Sequence, residues 1–220
     1  YRQNLKRSVQ RQRELNETQL RMLQAQLNPH FLYNTLDCMK WLGVANHVPQ
    51  IADMSTDLAA LLRAGISGSE LIPLEDELEL VRQYLNIQEI RFEDRFVCEI
   101  DVDERFQHCI VPKMVLQPLV ENAIIHGVAD LEEGYIKLWA ESDGDDLLLR
   151  VSDNGRGIAP EVLARLEQHQ DIPGGHLGLT NVDHILRLYY GPDYGLTAAS
   201  DGKTGSCVTL SLTMKKGDGS

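Results

Sequence analysis

Apolar spacing changes character once along this chain, between Gly65 and Ser69, and that change constrains the fold more than any other feature. Before it, apolar residues recur only every three or four positions. Leu20, Leu23, Leu27 and Phe31 form one such stripe, and Ile51, Leu58 and Leu62, with Ser55 in register, form another. That spacing keeps one face of a helix apolar. After it, period-two alternation appears, as in Phe96, Cys98, Ile100 and Val102, which reads as a strand with one buried face. The chain therefore divides into a helical segment, residues 1–66, and a mixed segment, residues 70–216. Gly65–Ser69 reads as a flexible linker between them.

The spacing predicts a long helix over residues 3–46. Its stripe is thin before Leu20 (Leu5, Val9, Leu15), as in a coiled-coil lead. Pro29 lies inside the pattern, removes one backbone donor and is expected to kink the helix. A loop at Asn46–Pro49 precedes a second helix running to about Ala64. Two helices with so short a loop form an antiparallel hairpin. Each apolar face is too wide for one hairpin to bury, so a homodimer forming a four-helix bundle is expected.

In the second segment, Leu74, Leu78, Val81 and Leu85 continue a helix to about Arg91, with Glu75, Asp76 and Glu77 at its N-terminus, where the helix dipole favours acids. A further helix is expected over Pro112–Gly127, with Val115, Leu119, Asn122 and His126 three and four apart. Strands at Tyr135–Glu141 and Leu147–Ser152 flank an Asp-Gly turn. Helices near 160–169 and at Leu179–Tyr190, and strands near 194–199 and 206–214, complete the pattern. Without a βαβ rhythm, the fold class is α+β: one sheet covered by one helical layer.

The formal net charge of −12 disfavours non-specific nucleic-acid binding, which needs a basic surface. The acidity is uneven. Arg2, Lys6, Arg7, Arg11 and Arg13 fall within residues 1–13, which hold no acid. Such a start suits either a solvated helix face or a stretch just inside a membrane. Cys38, Cys98, Cys109 and Cys207 are scattered without CxxC spacing and read as buried thiols in a reducing compartment. No run of 18 apolar residues and no signal peptide occurs, and the chain reads as a piece of a longer protein.

Four clusters carry chemistry. In Asn28-Pro29-His30-Phe31-Leu32-Tyr33-Asn34, His30 and Asn34 share a helix face, and a neutral imidazole is a good nucleophile toward phosphorus near pH 7. Taken alone, a helical histidine is more often structural. In Gln117 to Gly127, Glu121 and Asn122 interrupt an apolar helix. A carboxylate beside an amide suits either hydrated Mg²⁺ carrying phosphates or a helix-end hydrogen-bond network. Asp153-Asn154-Gly155-Arg156-Gly157 follows a strand. It suits a planar ligand with an exocyclic amine, or a plain turn. Gly174-Gly175-His176-Leu177-Gly178 opens a helix, as an anion site or a surface loop would.

Taken in order, the four clusters resemble the phosphoacceptor, N, G1 and G2 boxes of the LytS/YesM-type sensor histidine kinases. Tyr189-Tyr190-Gly191 and Gly205-Ser206 resemble that family's C-terminal pattern, so the likeness covers roughly residues 20–214. The resemblance implies a Bergerat-type ATP-binding sandwich after the helical hairpin, with ATP and Mg²⁺ as cofactors. By it, His30 is the phosphoacceptor, with Asn34 beside it and Glu121 the candidate base. Asn122 holds Mg²⁺ and Asp153 binds the adenine amine. His126, Gly155, Gly157, Ile158, Gly175, Gly178, Leu179 and Ser206 complete the ATP site. The implied partner is a response-regulator receiver domain. The implied place is the cytoplasmic side of a bacterial cell membrane, reached through an N-terminal part outside this sequence.

Three positions depart from the pattern. Phe31 follows His30, where many histidine kinases carry an acid. Ile125 stands where a Lys is common, so a phosphate contact is either missing or supplied elsewhere, by His126 or Arg91. The lid glycines are displaced to Gly174 and Gly175. Other functions compatible with the same clusters are a clamp-type ATPase like the Hsp90, gyrase and MutL proteins, a non-catalytic dimeric receiver-binding module, and a phosphatase using Asn34.

Overall fold

The structure is a computed structural model and describes residues 29–66, 68–170 and 177–214. The chain divides into two units between Ser67 and Gly68. The expected lead helix and the kink before Pro29 lie outside the described residues.

In the first unit, α1 (Pro29–Ala45) and α2 (Pro49–Ile66) pack antiparallel. The turn closes where Val48 N–H donates to the Gly43 carbonyl at 2.9 Å. Gly43 permits the close crossing, because a Cβ there would lie 2.8 Å from the Ala52 amide nitrogen. Leu36, Ala52, Ser55 and Leu61 are buried, and the Ser55 hydroxyl is satisfied by the Ile51 carbonyl at 2.6 Å. Arg63 lies 5.3 Å over the Tyr33 ring, tying the open ends of the two helices. Phe31, Trp41, Leu42 and Val44 remain more than half exposed, and Ile51 and Leu58 about two-fifths. The hairpin thus leaves much of its apolar material uncovered.

The second unit is the expected α+β sandwich. Its sheet runs β2 (Phe96–Asp101), β4 (Gly134–Asp143), β5 (Asp146–Asp153), β7 (Ser206–Thr213), β6 (Gly195–Ser200). All pairs are antiparallel except β2 with β4. The register places Leu138, Val151 and Val208 side by side, and likewise Leu149, Leu210 and Leu196, so one face is continuously apolar. Over that core lie α3 (Leu74–Arg91), α5 (Gln117–Asn122), α6 (Pro160–Glu167) and α7 (Leu177–Tyr190). Leu74, Leu78, Val81 and Leu85 of α3 are buried at the spacing read from sequence. Each such side chain contributes roughly 1.5–3 kcal/mol by leaving water. The chain also forms the short helix α4 (Glu104–Gln107), capped by Asp103, and a two-stranded sheet of β1 (Leu71–Pro73) and β3 (Ile110–Pro112).

The helix expected over Pro112–Gly127 is shorter at its start and changes type at its end. Pro112 belongs to β3, Met114 takes a left-handed φ of 60°, and regular helix begins only at Gln117. The cause is Glu77. Its carboxylate, wholly buried on α3, accepts the Met114 and Leu116 N–H groups at 2.7 and 2.9 Å. Those amides are thereby drawn to a neighbouring helix rather than into a helical run of their own. From Ala123 to Val128 the chain continues as a π-helical segment, a rare geometry often found at functional sites.

Candidate functional site

Two adjoining cavities flank α5 with its π-helical continuation, one against the loops that leave the sheet and the other against the start of α7. The first, of about 310 Å³, is lined by Asn122, His126, Gly127, Ile158, Val162 and Ser206, among others. The second, of about 280 Å³, is lined by Pro118, Glu121, Asn122, Ile125, His126, Gly178 and Leu179. Asn122 and His126 border both, so the two cavities form one cleft.

Asp153 ends β5, just behind this wall. Its Oδ1 accepts the Gly155 N–H at 2.8 Å, and its Oδ2 accepts the Ser206 hydroxyl at 2.5 Å. The carboxylate is thereby held in one orientation by two charge-assisted bonds. Two close approaches leave room only for glycine. A Cβ on Gly127 would stand 2.7 Å from Asp153 Oδ1, and one on Gly155 would stand 2.3 Å from the Gly127 backbone. Neighbouring Asn154 is fixed as well, accepting the Tyr135 N–H at 2.7 Å and donating to the Glu133 carbonyl at 3.2 Å. The loop from Gly155 to Ala159 is thus anchored at its root.

The first cavity is walled by Ile158, Ala159 and Val162, apolar surfaces that suit a planar base. The second presents the exposed Glu121 beside the buried Asn122, amid Pro118, Ile125 and Leu179. Behind Glu121, the buried Tyr84 phenol has its pKa raised, first by burial and then by the Glu121 charge. Ile125 lines the second cavity, and no lysine or arginine does. Arg91, one of the two cations expected from sequence to replace it, lies over the Phe92 ring at 5.2 Å and lines neither cavity. His126, the other, borders both. Arg156 lines the first cavity and donates from Nε to the His126 carbonyl at 2.7 Å.

His30 and Asn34 lie in the first unit. His30 is exposed, and the Asn34 amide nitrogen stands 3.3 Å from its Nδ1 and 3.4 Å from its Nε2. The side chains predicted to share a helix face therefore meet. Of the remaining predicted site residues, Glu121, Asn122, His126, Gly157, Ile158, Gly178, Leu179 and Ser206 all line the cleft. Asp153 and Gly155 stand directly behind it, and Gly175 lies outside the described residues. Sequence reading did not single out Glu77, Val162 or Ser200. Glu77 passed for an ordinary helix-start acid, and the other two carry no motif.

Two family models match the chain. One is described as a histidine kinase and matches residues 18–96. The other is described as a histidine kinase-, DNA gyrase B- and HSP90-like ATPase and matches residues 110–216. Sensor histidine kinase YesM of Bacillus subtilis (strain 168) is 35% identical over 213 residues, which are 96% of this chain and 36% of that protein. Sensor protein LytS of the same strain is 30% identical, over 92% of this chain and 35% of that protein. Sensor histidine kinase YpdA of Escherichia coli (strain K12) is 34% identical, over 84% and 33%. The chain spans about a third of the length of these relatives. The fold matches the histidine kinase domain of the Erythrobacter litoralis EL346 blue-light activated histidine kinase (TM-score 0.52, 16% identity, 85% of this chain and 94% of that one). It also matches the catalytic domain of histidine kinase ThkA (TM-score 0.52, 18% identity, 66% and 94%). A helical hairpin carrying an exposed histidine, an α+β unit following it in the chain, and these likenesses along both parts lead to one family: the chain belongs to the LytS/YesM-type sensor histidine kinases.

Proposed function

We propose that the chain binds ATP in the cleft and transfers its γ-phosphoryl group to His30, from which it passes to an aspartate of a response-regulator receiver domain. The observation that carries the ATP reading is the fixed Asp153 carboxylate behind a cleft with apolar walls at one end and a carboxylate–amide pair at the other. Asp153 retains acceptor capacity for an exocyclic amine, which adenine has. Ile158 and Val162 cover the base, and His126 lies between base and phosphates.

The donor set also fits Mg²⁺. Among the described residues, no group of three or more His, Cys, Asp or Glu side chains could hold a metal ion. The Asn122 amide oxygen would hold a magnesium ion together with nucleotide phosphates and water, the mixture of ligands that such an ion prefers. When bound it neutralises charge that develops on the phosphate oxygens. In the transfer, a His30 ring nitrogen forms the new N–P bond as the bond from the γ-phosphorus to ADP breaks. Asn34 orients the ring, and Glu121 takes the ring proton, since Phe31 stands where an adjacent acid would otherwise serve. The exposed apolar faces of α1 and α2 support a homodimer, which would cover Phe31, Trp41 and Leu42. No described helix is long and apolar enough to cross a membrane, and membrane attachment would come through residues outside this sequence.

The direct test is incubation with γ-labelled ATP and Mg²⁺. Acid-labile, base-stable protein label is expected in the wild type. A His30→Gln protein that labels equally well removes His30 from the reaction. An Asn122→Asp protein with intact labelling removes the metal role.

A further inference from the structure

The first cavity is walled by two stretches that are separate in sequence. Gly157, Ile158 and Ala159 come from the loop after β5, whereas Gly202 comes from the turn between β6 and β7. One hydroxyl joins them. Ser200, the last residue of β6, accepts the Ile158 N–H at 2.9 Å and the Gly202 N–H at 3.1 Å, and donates to the Gly205 carbonyl at 2.7 Å. The sheet register sets Ser200 opposite Ser206 and Ser206 opposite Asp153, so the three lie in one row across β6, β7 and β5. Ser206 is the residue whose hydroxyl holds Asp153 Oδ2. A single side chain therefore fixes one wall of the cavity and the segment that carries the Asp153 anchor.

We infer that Ser200 is a positioning residue of the base pocket, setting the separation of the Gly155–Ala159 loop from the β6–β7 turn and, through Gly205 and Ser206, the orientation of Asp153. Ser200 itself does not line the cavity. It acts on base recognition through Ile158 on one side and Ser206–Asp153 on the other. The inference rests on the ATP reading of the cleft. Without the hydroxyl, two backbone donors lose their acceptor and Gly205 loses a donor, so the two walls are free to move apart. Asp201 offers a contrast within the same turn. Its carboxylate accepts the Lys203 and Thr204 N–H groups, at 2.8 and 2.7 Å, and the Thr204 hydroxyl, all within the turn itself.

The experiment measures calorimetric affinities of the full 220-residue chain for Mg-ATP and for purine riboside triphosphate, which lacks the exocyclic amine, beside the thermal midpoint. Wild type is expected to favour ATP. Ser200→Ala is expected to lose about tenfold in ATP affinity, the scale of one net hydrogen bond, and most of its preference for ATP. Ser200→Thr, which keeps the hydroxyl, should restore both. Asp201→Asn should lower the midpoint while leaving the preference intact. A Ser200→Ala protein with a lower midpoint but wild-type affinity and preference overturns the inference. One that does not fold also overturns it, since the hydroxyl would then serve the fold rather than the pocket. Wild-type protein that binds no ATP overturns the ATP reading and the inference together, whereas ATP binding with an unaffected Ser200→Ala overturns the inference alone.

Discussion

Glu77 offers the sharpest quantitative test of how this unit is held together. Its carboxylate is fully buried on α3 and accepts the Met114 and Leu116 N–H groups that lead into α5. Burial pushes its pKa from 4.5 up to about 7, outweighing those N–H groups and the Lys113 charge, which pull it down. The folded protein thus holds this proton more tightly than the unfolded chain does. The contribution of Glu77 to stability is then fully present below about pH 4.5 and lost as pH rises through about 7. The gap, 7 − 4.5, corresponds to about 3 kcal/mol at roughly 1.36 kcal/mol per pH unit. Glu77→Gln keeps the shape and removes the titration. It also turns one acceptor into a donor, at a cost of about 1–3 kcal/mol that does not vary with pH. Urea unfolding of wild type and Glu77→Gln, both in a Trp41→Phe background so that Trp139 alone reports, measures the difference between pH 4.5 and 8. The variant should gain on wild type by about 3 kcal/mol across that range. Parallel stability curves, or wild type gaining as pH rises, would refute the reasoning and show that the backbone donors outweigh burial.

Gly127→Ala should force Asp153 to rotate, since the new Cβ would lie 2.7 Å from Oδ1. Losing the Gly155 bond there should weaken ATP binding by roughly 10- to 100-fold in calorimetry while circular dichroism stays native. Trp41→Asp combined with Leu42→Asp places charge on apolar surface now more than 60% exposed, and light scattering should show a shift from dimer to monomer. Arg63→Ala removes the cation over Tyr33 and should cost the hairpin only about 0.5–1 kcal/mol, read as a small fall in its thermal midpoint.

Much of the site was legible because its residues cluster by motif. The pairs Glu121–Asn122 and Gly155–Gly157 each sit within one short stretch, so their local geometry follows from spacing. The π-helical turn over Ala123–Val128 was not legible, because Ala, Ile and Val suit an α-helix equally well. Nor was the late start of α5. It depends on a carboxylate 37 and 39 residues away in sequence, and no local pattern announces that contact. The parallel pairing of β2 with β4 was likewise hidden, since alternation reveals a strand but not its neighbour.

By itself the sequence determined the change from helical to mixed segment near residue 67, although Gly65 and Ile66, expected in the linker, end α2, together with the α+β class of the second segment and the short motifs whose residues line the cleft. These follow from local periodicity and residue type, which act over a few positions of chain. Tertiary structure alone decided that Asp153 is wedged against Gly127 and clasped by Ser206, two residues that line the first cavity. It also decided that two residues without a motif act at a distance, Ser200 on the cavity wall at Ile158 and Glu77 on the start of α5. Those outcomes depend on which distant backbone donors meet which buried acceptors, and only the packed sheet and helices bring them within hydrogen-bond reach.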